Sequence, residues 1–330
     1  MGQGLSLAVL GATGSRGENL LQLLARRNFP YGRLLPLDDD ALLGKYVEIG
    51  DKRLPLISYR DFSFEDVDLA LVCQPVDAEV INLIREQGCT LVAPAEMLPD
   101  SGFDPVVADV NLRQLPLEKG MQLPIPSAFD SLLAGLLSPL HDQLGLVAAN
   151  VVWTRSVSAD GRQAIEGLAG ETAQLLNGNR PKAGVYPQPI AFNLMALDSS
   201  ADQARFLSLW QALWGDSLRL SISTLVAPLF FGDMLSLFIE TEQAASLAEF
   251  REILGELPDC QVTAASRDVL LSAADSATGD KINLAEPRGS EEQGHHFSLN
   301  ASMDGQRLGL AMNLLKIAEH LEKNLFISYS

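Results

Sequence analysis

Read only for apolar and polar positions, the first third of the chain alternates between two rhythms. Residues 5–10 (LSLAVL) form a short apolar run, as in a strand buried on both faces. After a glycine-rich stretch, ENLLQLLARRNF repeats apolar residues at Leu20, Leu21, Leu23, Leu24 and Ala25 with helical spacing and stops before Pro30. Residues 33–37 and 69–73 predict a second and third strand, 78–87 an amphipathic helix and 90–93 a fourth strand. Strand and helix in alternation imply a parallel, doubly wound α/β sheet.

Beyond Pro126 the rhythm changes. Two prolines lead into LPIPSAFDSLLAGLLSPL, so a helix is expected to start near Ser127 or Ala128 and run through 129–144. A β-rich run at 146–158 and a helix at 162–176 follow. Residues 218–226 and 229–241 predict paired strands, with a helix at 244–257 over them. This is the pattern of an α+β domain with longer, antiparallel strands. The last helix, 306–325, carries Leu308, Leu310, Ala311, Leu314, Leu315 and Ala318 on one face, too broad for a free tail.

Composition narrows the function classes. A chain of 330 residues is long enough for two domains, each with its own core. Apolar residues make up 47% and charged residues 20%, as in a folded globular protein. The net charge of −18 opposes phosphate backbones and anionic lipid, so nucleic acid and membrane surfaces are not expected partners. No apolar run reaches the ~18 residues of a membrane span, and no signal-peptide pattern opens the chain. Three cysteines, Cys73, Cys89 and Cys260, make no disulfide framework and fit a reducing cytoplasm. His295 and His296 adjoin in what reads as a solvated loop, so no metal site is expected.

The glycine stretch changes the picture most. VLGATGSRG follows a strand and opens a helix, with Gly11, Gly14 and Gly17 framing Thr13, Ser15 and Arg16. Such a loop lets backbone N–H groups approach a phosphate at a helix start, so these six residues are candidate dinucleotide contacts. The plainer reading is a turn kept for close strand–helix packing. Asp38-Asp39-Asp40 ends the second strand, where Asp38 could accept ribose hydroxyls, the alternative being a solvated acidic turn. Like charges about 4 Å apart repel by roughly 1 kcal/mol in water and about 4 at an effective dielectric of 20. NAD is therefore expected to be preferred over NADP. Gln74 opens the loop after the third strand and is the further candidate contact.

The opening VLGATGSRGENLLQLLARRNFP resembles that of the aspartate-semialdehyde dehydrogenases. So do DPVVADVN (104–111), IAFNLMAL (190–197), APLFFGDMLSLFIET (227–241) and LGLAMNLLKIAEHL (308–321). The likeness covers nearly the whole chain in order and is nearest to the Usg-like branch, in which catalytic residues are missing. It implies a Rossmann-like NAD(P)-binding domain of residues 1–126 with 306–330, an α+β dimerisation domain of 127–305, and a homodimer. It also implies a reaction in which a cysteine thiolate attacks an acyl group, a histidine handles protons and two arginines hold the substrate.

Carried onto this chain, that resemblance puts Ala128 at the cysteine position and Asp233 at the histidine position. Arg155 stands at the active-site glutamine, and Val226 and Pro99 stand at the two substrate arginines. Of an Asp-Asn pair near the nicotinamide only Asp304 remains, before Gly305. Arg155 and Asp233 are expected to pair across the former pocket, Ser127 to act as an N-cap and Cys73 as a small buried apolar residue. Where the family has small residues after the third strand, this chain has Gln74-Pro75-Val76-Asp77, bulkier and more acidic, which is expected to weaken cofactor binding without excluding it. Three readings stay open: a silent homologue acting through binding or interaction with a partner not identified by the sequence; an active NAD(P)-dependent oxidoreductase of amino-acid biosynthesis with altered chemistry, using Arg16 and Arg155 as its cations; and a structural partner that binds no nucleotide.

Overall fold

The computed structural model describes residues 4–39, 44–60, 62–263, 270–277, 279–290 and 292–326; Asp40 lies outside them. The chain divides into two compact units, residues 1–131 with 309–330, and residues 132–308.

In the first unit, β1 (Ser6–Leu10) leads through the glycine loop into α1 (Ser15–Arg26). β2 (Arg33–Asp38), a hairpin of β3 (Tyr46–Ile49) and β4 (Lys52–Pro55), β5 (Ile57–Ser58) and β6 (Leu69–Val72) follow. Then come α2 (Ala78–Glu86), β7 (Thr90–Pro94) and β8 (Gln122–Ile125). Six strands make an all-parallel sheet in the order β5-β2-β1-β6-β7-β8. Leu7–Leu10 and Leu69–Val72 have no exposed surface, which is why these strands read as unbroken apolar runs rather than alternating ones. Removing each such leucine from water is worth roughly 1.5–3 kcal/mol.

α3 (Ala128–Leu144) leads into the second unit. There follow β9 (Leu146–Arg155), α4 (Arg162–Leu176), β10 (Met195–Leu197), α5 (Ser200–Trp214) and β11 (Arg219–Val226). β12 (Asp233–Ala245), α6 (Leu247–Gly255), β13 (Cys260–Thr263), β14 (Ile282–Ala285) and β15 (Gly294–Met303) complete it. Its seven-stranded sheet runs β10-β11-β9-β12-β15-β14-β13. Along β12, Leu235, Leu237 and Ile239 are buried, while Phe238 between them is 53% exposed, so one sheet face is covered and the other open.

Four expectations need correction here. The strands at 218–226 and 229–241 do not pair with each other: β9 lies between them, parallel to β11 and antiparallel to β12. The sheet is accordingly mixed, with β13 and β14 also parallel. β12 starts only at Asp233, because Gly232 takes a left-handed conformation (φ 85°) that interrupts the extended chain. The expected strand 146–158 stops at Arg155, where the Ser156 N–H turns to the Asp233 carboxylate instead of a neighbouring strand. Residues 157–160 form a 3-10 turn. α6 starts at Leu247, set by a capping box in which Ser246 Oγ accepts the Glu249 N–H at 3.2 Å and Glu249 accepts the Ser246 N–H at 2.7 Å. α5, the β3–β4 hairpin and strands β5, β8, β10, β13, β14 and β15 were not anticipated.

The C-terminal segment returns to the first unit as α7 (Met312–Leu321), with π-helical turns at Arg307–Ala311 before it and Glu322–Phe326 after it. The Asn313 side chain bridges the loop at 106–108, accepting from the Ala108 N–H at 2.8 Å and donating to the Val106 carbonyl at 3.1 Å. Lys316 reaches Asp109 at 2.6 Å.

Candidate functional site

In a sheet ordered β2-β1-β6, the chain direction of winding reverses between β1 and β6. The crevice at the carboxyl ends of those two strands is where open α/β sheets receive ligands. Two loops meet there, residues 11–14 after β1 and the Gln74 loop after β6. Gly11 takes the tight turn with φ 76°, and its N–H donates to the Leu37 carbonyl at 2.9 Å. Gly17 lies so close to the Gly11 carbonyl that any side chain there would collide with it. Gly14 has no backbone neighbour as near. What lies 2.8 Å from the place of its missing Cβ is Oε1 of Gln74, and a side chain at Gly11 would strike Gln74 Cγ.

Asp38 is 1% exposed. Its Oδ2 accepts the Thr13 N–H at 2.9 Å and the Thr13 hydroxyl at 2.7 Å. Its Oδ1 accepts the Asp39 N–H at 3.0 Å and Gln74 Nε2 at 3.4 Å. A carboxylate has about four acceptor positions, and all are used. The expectation that Asp38 offers itself to a ribose is thereby corrected: it ties the glycine loop to β2 and to Gln74. Asp39 is the more open acid, 2.9 Å from Arg60, whose guanidinium also stands 3.7 Å from Asp77. Ser15 is exposed and Arg16 half-buried at the start of α1. As arranged, the Gln74 amide lies beside Gly14 and the Asp38 carboxylate is fully hydrogen-bonded. Cys73 beside them is fully buried, and burial pushes its thiol up to about 12 against the opposing pull of Arg16, so it supplies no thiolate.

The positions that the resemblance assigns to chemistry are distributed over both units. In the first unit, Ala128 begins α3; the cap is intact, with Ser127 Oγ accepting the Asp130 N–H at 3.1 Å. Gly309 passes so close to the Ala128 carbonyl that no side chain fits there. Pro99 is exposed in a turn after Ala95–Met97.

In the second unit, Val226 has no exposed surface and packs with Val157, Leu168 and Ile190. Asp233 is 3% exposed and accepts three hydrogen bonds, from Ser156 N–H (2.8 Å), Ser156 Oγ (3.0 Å) and Trp153 Nε1 (3.3 Å). Burial pushes its carboxyl up, while those donors and the charge of Arg155 pull it down. Asp304 is pushed up to about 6, first by burial and further by the charge of Asp233, against the Arg307 N–H it accepts at 3.0 Å.

Arg155 does not pair with Asp233. Both of its hydrogen bonds go from Nη2 to Asp160, at 3.0 and 2.8 Å, and the Tyr186 hydroxyl donates to the same carboxylate at 2.6 Å. The chain turn at Ser156 explains this. It hands the Ser156 N–H and hydroxyl to Asp233 and leaves Arg155 facing the 3-10 turn that contains Asp160. Ser156, Asp160, Trp153 and Tyr186 were not anticipated as partners; Asp160, five residues on in SVSAD, was the one visible signal. None of the four histidines joins this cluster: His141 contacts Asp216, His295 the Thr241 carbonyl and His320 Asn324, while His296 lies in β15. Ser156 Oγ is fully buried, so it has no route to a substrate. Among the described residues, no group of three or more His, Cys, Asp and Glu is arranged for a metal, and no helix is long and apolar enough to cross a membrane.

Comparison with known proteins gives this geometry its context. Residues 6–112 match the family model of the semialdehyde dehydrogenase NAD binding domain, and residues 137–301 that of the semialdehyde dehydrogenase dimerisation domain. A USG-1 protein homolog of Azotobacter vinelandii is 31% identical over 98% of this chain and 99% of its own length. The aspartate-semialdehyde dehydrogenase of Shewanella violacea is 26% identical over 99% of this chain and 100% of its own. Among solved structures, a probable aspartate-semialdehyde dehydrogenase from Pseudomonas aeruginosa superposes with a TM-score of 0.87 at 30% identity, covering 98% of this chain and 99% of that one. With both domain models matched in order and a near-full-length relative above 30% identity, the chain belongs to the semialdehyde dehydrogenase family, among the aspartate-semialdehyde dehydrogenases and their USG-1-like relatives.

Proposed function

We propose that this chain is a catalytically silent homodimer that acts by binding or interaction. The observation that carries the reading is Ala128 at the start of α3. The helix and its Ser127 cap are present, while the residue that the resemblance aligns with the nucleophile is a methyl group. Asp233, aligned with the base, is buried and already holds three donors. Val226 and Pro99 carry no charge for a substrate anion. An active dehydrogenase of altered chemistry would need a free cation, and Arg155 is committed to Asp160. Residues cooperating with a nucleophile contribute little once it is gone.

In this reading a bound dinucleotide is NAD rather than NADP, since Asp39 follows the second strand and Arg60, after β5, is shared between the carboxylates of Asp39 and Asp77. Self-association runs through residues 127–305, supported by the open sheet face carrying Phe238. The test is steady-state reduction of NADP or NAD with aspartate semialdehyde and phosphate. No turnover is expected; turnover abolished by substitution of Asp233 or Arg155 sinks the proposal.

A further inference from the structure

The segment between α4 and β10 is fastened at several points around one exposed aromatic ring. Tyr186 donates its hydroxyl at 2.6 Å to Asp160, the carboxylate that also holds Arg155. Glu171 of α4 is buried, and it accepts the Ile190 N–H at 2.6 Å and the Ala191 N–H at 3.0 Å. A carboxylate is costly to bury without such bonds, and bonds to a charged acceptor are the stronger class. Asn193 closes the turn. Its N–H donates to the Ile190 carbonyl at 2.9 Å, its Nδ2 donates to the Pro189 carbonyl at 3.1 Å, and its Oδ1 accepts the Leu194 N–H at 2.9 Å.

Among these bonds stands Phe192, with φ 59° and 71% of its surface exposed. A bulky residue in the left-handed region is strained and persists only where its surroundings over-determine it. Leu194 beside it, and Phe230 and Phe231 after β11, are exposed as well. They gather at one end of the sheet, because Met195 of β10 pairs with Val226, the last residue of β11. β10 also continues the open sheet face. Ala196 pairs with Leu225, Leu225 with Thr154 and Thr154 with Met234, which shares its side of β12 with Phe238.

We infer that residues 186–194 form a preformed arm that grips a second copy of this chain, with Phe192 as its anchor. Continuity with the open sheet face names the occupant, since residues 137–301, matched to the dimerisation domain, contain both arm and face. Aromatic residues are enriched at interface cores, and an anchor already fixed in place loses less freedom on binding. Tyr186 and Asp160 tie the arm to Arg155, so a position that the resemblance aligns with the active site braces a contact between copies. This rests on the homodimer of the proposed function, not on catalytic silence.

The test is sedimentation of the full-length protein over a dilution series, comparing the dimer dissociation constants of wild type, Phe192→Asn and Leu176→Asn. Asparagine enters the left-handed region more readily than phenylalanine, so at position 192 it removes the ring while easing the backbone. Leu176 is an equally exposed apolar residue at the end of α4, outside the arm. The arm predicts that Phe192→Asn raises the dissociation constant at least about tenfold, or about 1.4 kcal/mol, and that Leu176→Asn does not. A rise of less than about tenfold for Phe192→Asn, including no dissociation of it or the wild type at any dilution, overturns the inference. An equal rise for Leu176→Asn overturns it too, since loss of any exposed apolar side chain would then suffice. A wild type that is monomeric throughout removes the inference together with the homodimer, whereas a wild-type dimer indifferent to Phe192 removes the inference alone. Circular dichroism checks that each variant is folded, and Phe192→Gly replaces asparagine if that variant is not.

Discussion

Asp233 and Asp304 lie together in the corner that the resemblance aligns with the family's base. Each is a nearly buried carboxylate; burial raises both, the charge of Asp233 raises Asp304 further, and local donors pull each back. Restoring sulfur alone leaves that corner as it is. Ala128→Cys is therefore expected to show no aspartate semialdehyde turnover above wild type; rates within about tenfold of an active homologue would mean that Asp233, Val226 and Pro99 are wrongly matched to the base and the two arginines. Asp304 makes a separate prediction about pH. Its carboxyl is raised from 3.8 to about 6 in the folded protein, so the folded state holds the proton more tightly than the unfolded chain. Stability from this group is complete below pH 3.8 and is lost as pH rises through about 6. Asp304→Asn keeps an oxygen for the Arg307 N–H and removes the titration. It is expected to flatten the pH dependence between 4 and 6 and to be more stable than wild type at pH 7.5, by on the order of 1–3 kcal/mol in urea denaturation. A less stable variant at that pH contradicts the assignment.

At the scale of elements, the start of α3 is held by a cap rather than by chemistry. Ser127→Ala removes the acceptor of the Asp130 N–H and is expected to cost about 1 kcal/mol in chemical denaturation; an unchanged midpoint would mean that the cap is idle. Elements were legible where burial imposed a period. β1, β2, β6 and β7 of the first sheet are largely buried on both faces, so their apolar runs were plain, as was the broad face of the last helix. Period does not name a neighbour, however. The alternation in 218–226 and 229–241 told which face each strand buries, not that β9 stands between them. α5 escaped notice because only Phe206, Leu209 and Trp210 of its fifteen residues are buried. The same limit applies to the candidate site. The glycine loop was visible as a motif, but the direction of Gln74 depends on the sheet bringing β6 beside β1. Likewise the choice of Asp160 over Asp233 by Arg155 depends on a backbone turn at Ser156 that no spacing announces.

At the scale of the whole molecule, the open sheet face and the matched dimerisation model make assembly the next question. An obligate interface buries on the order of 2,000 Å² or more. Light scattering coupled to size exclusion is expected to give about twice the 35.6 kDa chain mass. Persistence of a monomer at tens of micromolar, roughly the range where an obligate dimer stays intact, would remove that claim. Truncation after Ser302 should not yield soluble folded protein, since it deletes α7 with Leu314, Leu315, Ile317 and Ala318, all fully buried. Catalytic silence is tested most directly in a single turnover, with the protein at tens of micromolar, roughly stoichiometric with cofactor, mixed with aspartate semialdehyde, phosphate and NADP or NAD. Catalytic silence predicts no absorbance of reduced nicotinamide above the protein-free rate. A stoichiometric burst that disappears in Asp233→Ala would contradict it.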